Sequence, residues 1–143
     1  MIRLFLSCLL LLAACTPGSK EHHHEEATST DDPNGALTDQ VMAIHDEVMP
    51  RLEDIYKLKQ NLQEQLTSKD LAEARKTELN NTIARLDSAS GAMMSWMHGF
   101  NPPADTVEQE KAREYLEEQM ERIRQIKEQI AEAIEAGEQQ KKP

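Results

Sequence analysis

The sequence contains few of the residues from which β-sandwiches and barrels build their strands and turns. Aromatic side chains make up 3% of the 143 residues, and there are five glycines and six prolines. Cysteine is absent after Cys15, so the rest of the chain has no disulfide, thiolate metal site or cysteine nucleophile. This composition predicts an all-α fold.

Positive charge is also scarce. The chain has 26 acidic and 16 basic side chains, which give a formal net charge of -10 with the histidines neutral. Because a phosphate backbone would repel a chain of this charge, we expect no nucleic-acid partner.

One long apolar run is present, and it lies at the N-terminus. It follows Arg3 and extends from Leu4 to Ala14, interrupted by Ser7 and Cys8. As a helix these residues span roughly 16 Å, about half of the hydrocarbon core of a bilayer, so they are too few for an ordinary transmembrane helix. The run instead predicts the hydrophobic part of a signal peptide.

The end of the run resembles the processing site of bacterial lipoproteins, because small residues precede a cysteine in Leu12-Ala13-Ala14-Cys15. The resemblance implies that residues 1–14 form a removable signal peptide and that Cys15 is acylated and becomes the first residue. Two or three acyl chains, palmitate among them, would hold the protein on a bilayer without spanning it. Thr16 stands where an aspartate would indicate inner-membrane retention, so the resemblance favours the outer membrane. The alternatives are an ordinary secretory signal peptide and an uncleaved membrane anchor.

Between Thr16 and Gly35 the chain has no apolar side chain larger than that of Ala27. Such a segment cannot bury enough surface to offset the entropy that is lost when a chain becomes ordered. We therefore expect residues 15–36 to be a disordered tether that carries the lipid.

Three amphipathic segments follow, with apolar residues at steps of three and four, as on one face of a helix. They predict a helical bundle over residues 37–136 and a polar tail over residues 137–143. Pro50 predicts a kink in the first segment, and Asp105 with Glu108 predicts a capping box at the start of the third. The stripes comprise Leu37, Val41, Ile44, Val48, Leu52, Ile55, Leu62 and Leu66, with Leu58 at the edge; Leu71 or Ala72, Leu79, Ile83, Leu86, Ser90, Met93, Met97 and Phe100; and Leu116, Met120, Ile123, Ile126, Ile130 and Ile134.

Short connections between these segments force neighbouring helices to lie antiparallel. The expected architecture is therefore an up-down-up three-helix bundle. A long antiparallel coiled-coil hairpin whose third helix pairs with another chain is the alternative, because coiled coils have the same apolar spacing. Either arrangement would be an elongated monomer or homodimer without a deep pocket.

The sequence has no Gly-rich phosphate loop, nucleophile elbow, zinc-protease helix or calcium loop. Carboxylates such as Glu117, Glu118 and Glu121 lie among Gln, Lys and Arg, as on a solvated helix face with ion pairs. We therefore predict that the protein is not an enzyme.

One unusual cluster combines methionine, histidine and the only tryptophan. Five of the six methionines that follow Cys15, and two of the five histidines, lie in residues 42–49 and 93–98. A hairpin centred near Ser68 would place His45 level with Ala92. Thioether and imidazole groups together suit Cu(I). The candidate metal ligands are Met42, His45, Met49, Met93, Met94, Met97 and His98.

Helical-wheel geometry favours packing over metal binding for this cluster. Met93 and Met97 fall inside the apolar stripe of the second helix. Met42, His45 and Met49 lie roughly 70° to 130° from the centre of the first stripe. Methionine commonly fills irregular gaps in protein cores. Core packing is therefore the favoured interpretation, and a copper site is the alternative.

Residues 45–50 (His-Asp-Glu-Val-Met-Pro) and 93–103 (Met-Met-Ser-Trp-Met-His-Gly-Phe-Asn-Pro-Pro) also carry a family resemblance. They resemble motifs of small uncharacterised helical lipoproteins of Bacteroidota-type bacteria, some of which are labelled viral A-type inclusion protein. The resemblance covers Leu37 to Ile134 and implies a lipid-anchored helical protein without implying an activity. We expect a cell-envelope protein with a structural or protein-interaction role, held on the membrane by its lipid, with a protein partner or a second copy. The alternative is a periplasmic copper-binding protein.

Overall fold

The computed structural model describes residues 32–141, and these residues form a bundle of α-helices without strands. The helices are α1 (Pro33–Val48), α2 (Arg51–Leu66), α3 (Glu73–Gly99) and α4 (Gln109–Gln140). α1 and α2 form one kinked rod, α3 returns beside α2, and α4 packs against all three. The predicted all-α, up-down-up three-helix architecture is confirmed. The predicted signal peptide, Cys15 and the tether up to residue 31 lie outside the described residues.

The first rod is divided at Pro50, as its sequence predicts. Proline has no N–H to donate, and its ring clashes with the preceding turn of a helix. α1 ends at Val48. The N–H groups of Leu52 and Glu53 then donate over 3.2 Å to carbonyls three residues back rather than four. This turn separates α1 from α2, so the two helices can pack against different neighbouring helices.

The apolar stripes of three rods face one another and form the core. The first rod is α1 with α2, the second is α3 and the third is α4. Burying one Leu or Ile side chain stabilises the fold by about 1.5–3 kcal/mol. A glycine in α4 lets α2 approach closely, because a Cβ on Gly137 would lie 3.0 Å from Cδ1 of Leu58. The largest fully buried side chains are Val41, Ile55, Leu58, Leu62, Leu79, Leu86, Met93, Leu116, Ile123 and Ile130.

The two outer limits of the helical region differ from the sequence prediction. α1 begins at Pro33 rather than Leu37. Asp32 caps it by accepting a hydrogen bond from the N–H of Asn34 at 3.1 Å, and proline is favoured in a first turn. α4 continues to Gln140, past the predicted start of the polar tail.

The predicted capping box at the start of α4 is wrong. α4 begins at Gln109, and its N-cap residue Glu108 makes no capping hydrogen bond through its side chain. Asp105 lies in a separate turn, which the N–H of Val107 closes on the carbonyl of Ala104 at 2.9 Å. The residues between Gly99 and Gln109 therefore form a longer connection than the sequence predicts.

α4 is parallel to the first rod, so its contacts define the two ends of the bundle. At the tether end, where α1 and α4 begin and α3 ends, Nδ2 of Asn34 donates to the carbonyl of Gln109 at 3.1 Å. At the far end, Nε2 of Gln65 donates to the carbonyl of Gln140 at 3.0 Å. No helix within residues 32–141 combines the length and the apolar character that crossing a bilayer requires.

Candidate functional site

Trp96 is the central residue of the tether end. Its side chain is 4% exposed, although the predicted stripe of its helix did not include it. The indole Nε1 donates to Oε1 of Gln119 on α4 over 3.0 Å, and Gln119 is buried as well. Among the described residues no buried side-chain nitrogen or oxygen lacks a hydrogen-bond partner. The Trp96–Gln119 bond is therefore part of a fully satisfied core.

Trp96 belongs to a row of rings that joins α1, α3 and α4. Its ring centroid lies 6.0 Å from that of His45 and 4.8 Å from that of Phe100, with which it stacks. Phe100 in turn lies 6.3 Å from Tyr115 on α4. The hydroxyl oxygen of Tyr115 accepts a hydrogen bond from the backbone N–H of Asn101 at 2.8 Å. The row fixes the end of α3 against its two neighbours.

The ring of His45 lies against that of Trp96, one helical turn along α3 from Ala92. The side chain of His45 is 17% exposed, and its Nδ1 lies 2.8 Å from Oδ1 of Asp46, in hydrogen-bond contact. His45 is thus a nearly buried histidine at the edge of the core.

The other candidate metal ligands occupy different environments. Met93 is fully buried in the core, as its apolar stripe predicts. Within residues 32–141 no group of three or more His, Cys, Asp or Glu side chains is arranged to hold a metal ion. A metal site here would therefore depend on methionine sulfur. The half-buried or exposed candidates are Met42, Met49, Met97, Met94 and His98.

The backbones of α1 and α3 stay farther apart than those of the other helix pairs, and side chains such as those of His45 and Trp96 bridge the two helices. Both helices pack against α4. α2, which follows the turn at Pro50, does contact α3. At the tether end, side chains rather than close backbone packing therefore fill the space between α1 and α3.

The flank of α1 that faces α3 carries residues at helical spacing. Met42, His45 and Met49 are three and four positions apart and therefore share one flank of the rod. The contact between the rings of His45 and Trp96 shows that this flank faces α3.

The α3 side is lined in the same way. Asp87, Met94 and Met97 are seven and three positions apart and share one flank. An ion pair between Asp87 and Lys59 of α2 shows that this flank faces the first rod. We call the surface formed by both sides the methionine seam. Its residues are Met42, His45, Met49, Met94 and Met97.

The carboxylates of α4 lie on its solvent face. Glu117 accepts a hydrogen bond from Nε of Arg113 at 2.8 Å, and this bond and the charge of Glu117 raise the pKa of Arg113. Glu118 lies 4.0 Å from Nη1 of Arg122, and Glu121 is exposed. The predicted solvated, ion-paired helix face is confirmed.

No protein-family model, curated protein or solved structure matches the chain. The residues of the methionine seam and of the N-terminal sequence are thus the basis for inferring its function.

Proposed function

We propose that the chain is a lipid-anchored helical protein of the bacterial cell envelope, with the outer membrane favoured, and that its role is structural or protein-binding rather than catalytic. The methionine seam carries the binding role, because apolar side chains that stay partly exposed on a charged surface are typical of protein contact sites. The sequence Leu12-Ala13-Ala14-Cys15 supports lipidation. The seam lies at the end of the bundle at which α1 begins.

Metabolic labelling with a palmitate analogue tests the anchor. The wild-type chain should take up the label and sediment with membranes, because the sulfur of Cys15 is the acylated atom. Cys15→Ser should lose the label and accumulate as unprocessed precursor. Cys8→Ser is the matched control and should be labelled like the wild type. Label that persists in Cys15→Ser, or that never enters the wild type, contradicts the proposal.

A soft-metal site is a second candidate function, because His45 and four methionines share the methionine seam. Since the same side chains also fill the space between α1 and α3, we expect no tight one-to-one binding in a Cu(I) competition titration. Tight binding that His45→Ala removes without loss of helicity would instead establish a copper function. Met120→Leu, a change in the core outside the seam, is the control and should leave any copper binding unchanged.

A further inference from the structure

We propose that Asn34 is a spontaneous deamidation site whose modification releases the start of α1 from the start of α4. The inference goes beyond the envelope role proposed above and does not depend on it. It is carried by the residue that follows Asn34, by the position of both residues in the first turn of α1 and by the hydrogen bond that the Asn34 side chain donates.

Asn34 precedes a glycine, and it is the only asparagine in the sequence that does. Deamidation starts when the backbone nitrogen of the next residue attacks Cγ of the asparagine. Glycine has no Cβ to obstruct this approach, and its backbone adopts conformations that other residues avoid. The asparagines that precede larger residues are Asn61, Asn80 and Asn81. Asn101 precedes a proline, which has no N–H to lose.

Gly35 lies in the part of α1 where helical hydrogen bonds constrain the backbone least. It is the third residue of the helix, and the first four N–H groups of a helix have no acceptor within it. Its nitrogen can therefore lose a proton without breaking a hydrogen bond inside α1, and helix ends fray. The three asparagines that precede larger residues lie inside α2 and α3, where the preceding turn accepts a hydrogen bond from the N–H that follows each of them.

The cap of α1 requires the same glycine. Asp32 accepts a hydrogen bond from the N–H of Asn34 at 3.1 Å. A Cβ on Gly35 would lie 2.5 Å from Oδ2 of Asp32, closer than a Cβ atom approaches other atoms in proteins. A side chain at this position would therefore displace the capping carboxylate. The fold thus favours the residue that makes Asn34 reactive.

The reaction needs only hydroxide and water. Hydroxide removes the proton of the Gly35 N–H, and the nitrogen forms a bond to Cγ of Asn34. The bond between Cγ and Nδ2 then breaks, and the leaving group takes a proton from water, which releases ammonia and regenerates hydroxide. Water opens the resulting cyclic imide at either carbonyl, which leaves aspartate or isoaspartate at position 34.

The modification removes a hydrogen bond between two helices. Nδ2 of Asn34 donates to the carbonyl of Gln109 at 3.1 Å, where α4 begins. An ionised carboxylate has no hydrogen to donate, so two oxygen atoms would face each other. Isoaspartate also lengthens the backbone within the first turn, in which the N–H of Ala36 donates to the carbonyl of Asp32 at 3.1 Å.

The added charge lies beside a cavity that already has carboxylates in its wall. The cavity has a volume of about 450 Å³, and Asp39 and Asp105 line it together with Asn34. α1 and α4 both begin here, and the positive ends of their helix dipoles favour a negative charge. We therefore expect the bundle to stay folded while the start of α1 loses its contact with Gln109.

Ageing of the full-length chain tests the site. The chain is kept in mildly alkaline buffer at physiological temperature and digested at intervals, and its peptides are analysed by mass spectrometry for the replacement of NH₂ by OH. We expect Asn34 to be converted about tenfold faster or more than the asparagines inside α2 and α3. Asn34→Gln is the control and should stay unmodified, because glutamine keeps the amide but would have to form a larger ring.

Hydrogen exchange tests the effect on the fold. Asn34→Asp reproduces one product, and the aged chain contains both. In each, the amides of the first turns of α1 should exchange several times faster than in the fresh wild-type chain, because a hydrogen bond to α4 is lost. The amides of α2 should exchange as before.

Two results would overturn the proposal. Conversion of Asn34 no faster than that of the asparagines inside α2 and α3 would show that the cap and the helix protect it. Unchanged exchange in α1 after conversion would show that the hydrogen bond to Gln109 does not hold the two helix starts together. The proposed envelope function fails on a different result, the absence of lipid at Cys15.

Discussion

Replacing Trp96 with alanine should lower the free energy of unfolding by about 3–5 kcal/mol, the usual cost of deleting a large buried aromatic side chain. The ring is 4% exposed and stacks on Phe100 with centroids 4.8 Å apart. Its removal also leaves the buried side-chain oxygen of Gln119 without its donor. Because the tryptophan itself is removed, urea unfolding followed by circular dichroism is the suitable measurement.

A series of milder changes separates ring packing from hydrogen bonding. Trp96→Phe keeps a ring but not the N–H group, so it should cost about 1–3 kcal/mol. Combining it with Gln119→Leu should cost less than the two single changes added together, because neither partner is then left unpaired. Met94→Ala is the control and should change stability by less than about 0.5 kcal/mol. Similar losses for Trp96→Ala and Met94→Ala would show that the ring has no special role at the tether end.

Much of the fold could be predicted because it depends on local sequence. The stripe of α4 from Leu116 to Ile134 repeats at steps of three and four, and each of its apolar residues is buried. Pro50 ends a helix through its own ring and its missing N–H, whatever surrounds it. Gly99 and the prolines that follow stop α3 for equally local reasons.

The buried partners of individual side chains could not be predicted in this way. Trp96 lies beside the predicted stripe of α3, and its hydrogen-bond acceptor Gln119 is 23 positions away in sequence. Hydrophobic periodicity assigns one face to each helix, but α3 packs against both α2 and α4, so its buried surface is wider than one stripe.

The residues of the methionine seam could be named from composition, but their arrangement could not. A simple hairpin between the first two helices brings all of the first rod against α3. The turn at Pro50 changes this, because α2 stays against α3 while α1 contacts α4 instead. On α3, Met94 is 42% exposed, although Met93 beside it in sequence is fully buried. A shift of one position along α3 thus separates a methionine buried in the core from one exposed at the seam.

The far end of the bundle is held by polar contacts rather than by rings. Nη2 of Arg75 on α3 donates to the carbonyl of Gln140 over 2.9 Å and to Oε1 of Gln65 on α2 over 3.3 Å. Gln65 also donates to the carbonyl of Gln140. Arg75 therefore ties the C-terminus of α4 to both other rods, where its positive charge is favourable at the negative end of the helix dipole.

Arg75→Ala should accordingly lower the free energy of unfolding by about 1–3 kcal/mol, the range for hydrogen bonds from a charged donor. The loss should be smaller than for Trp96, because the Arg75 side chain is 31% exposed and water can replace part of its contacts. Arg75→Lys keeps the positive charge but not the several N–H donors of the guanidinium group. Its free energy of unfolding should lie between those of the wild type and Arg75→Ala. Arg85→Ala is the control, because Arg85 is an exposed arginine on the same helix. It should change the free energy of unfolding by less than about 0.5 kcal/mol. If both alanine variants unfolded at the same urea concentration, the result would show that water replaces the hydrogen bonds that Arg75 donates at the C-terminus of α4.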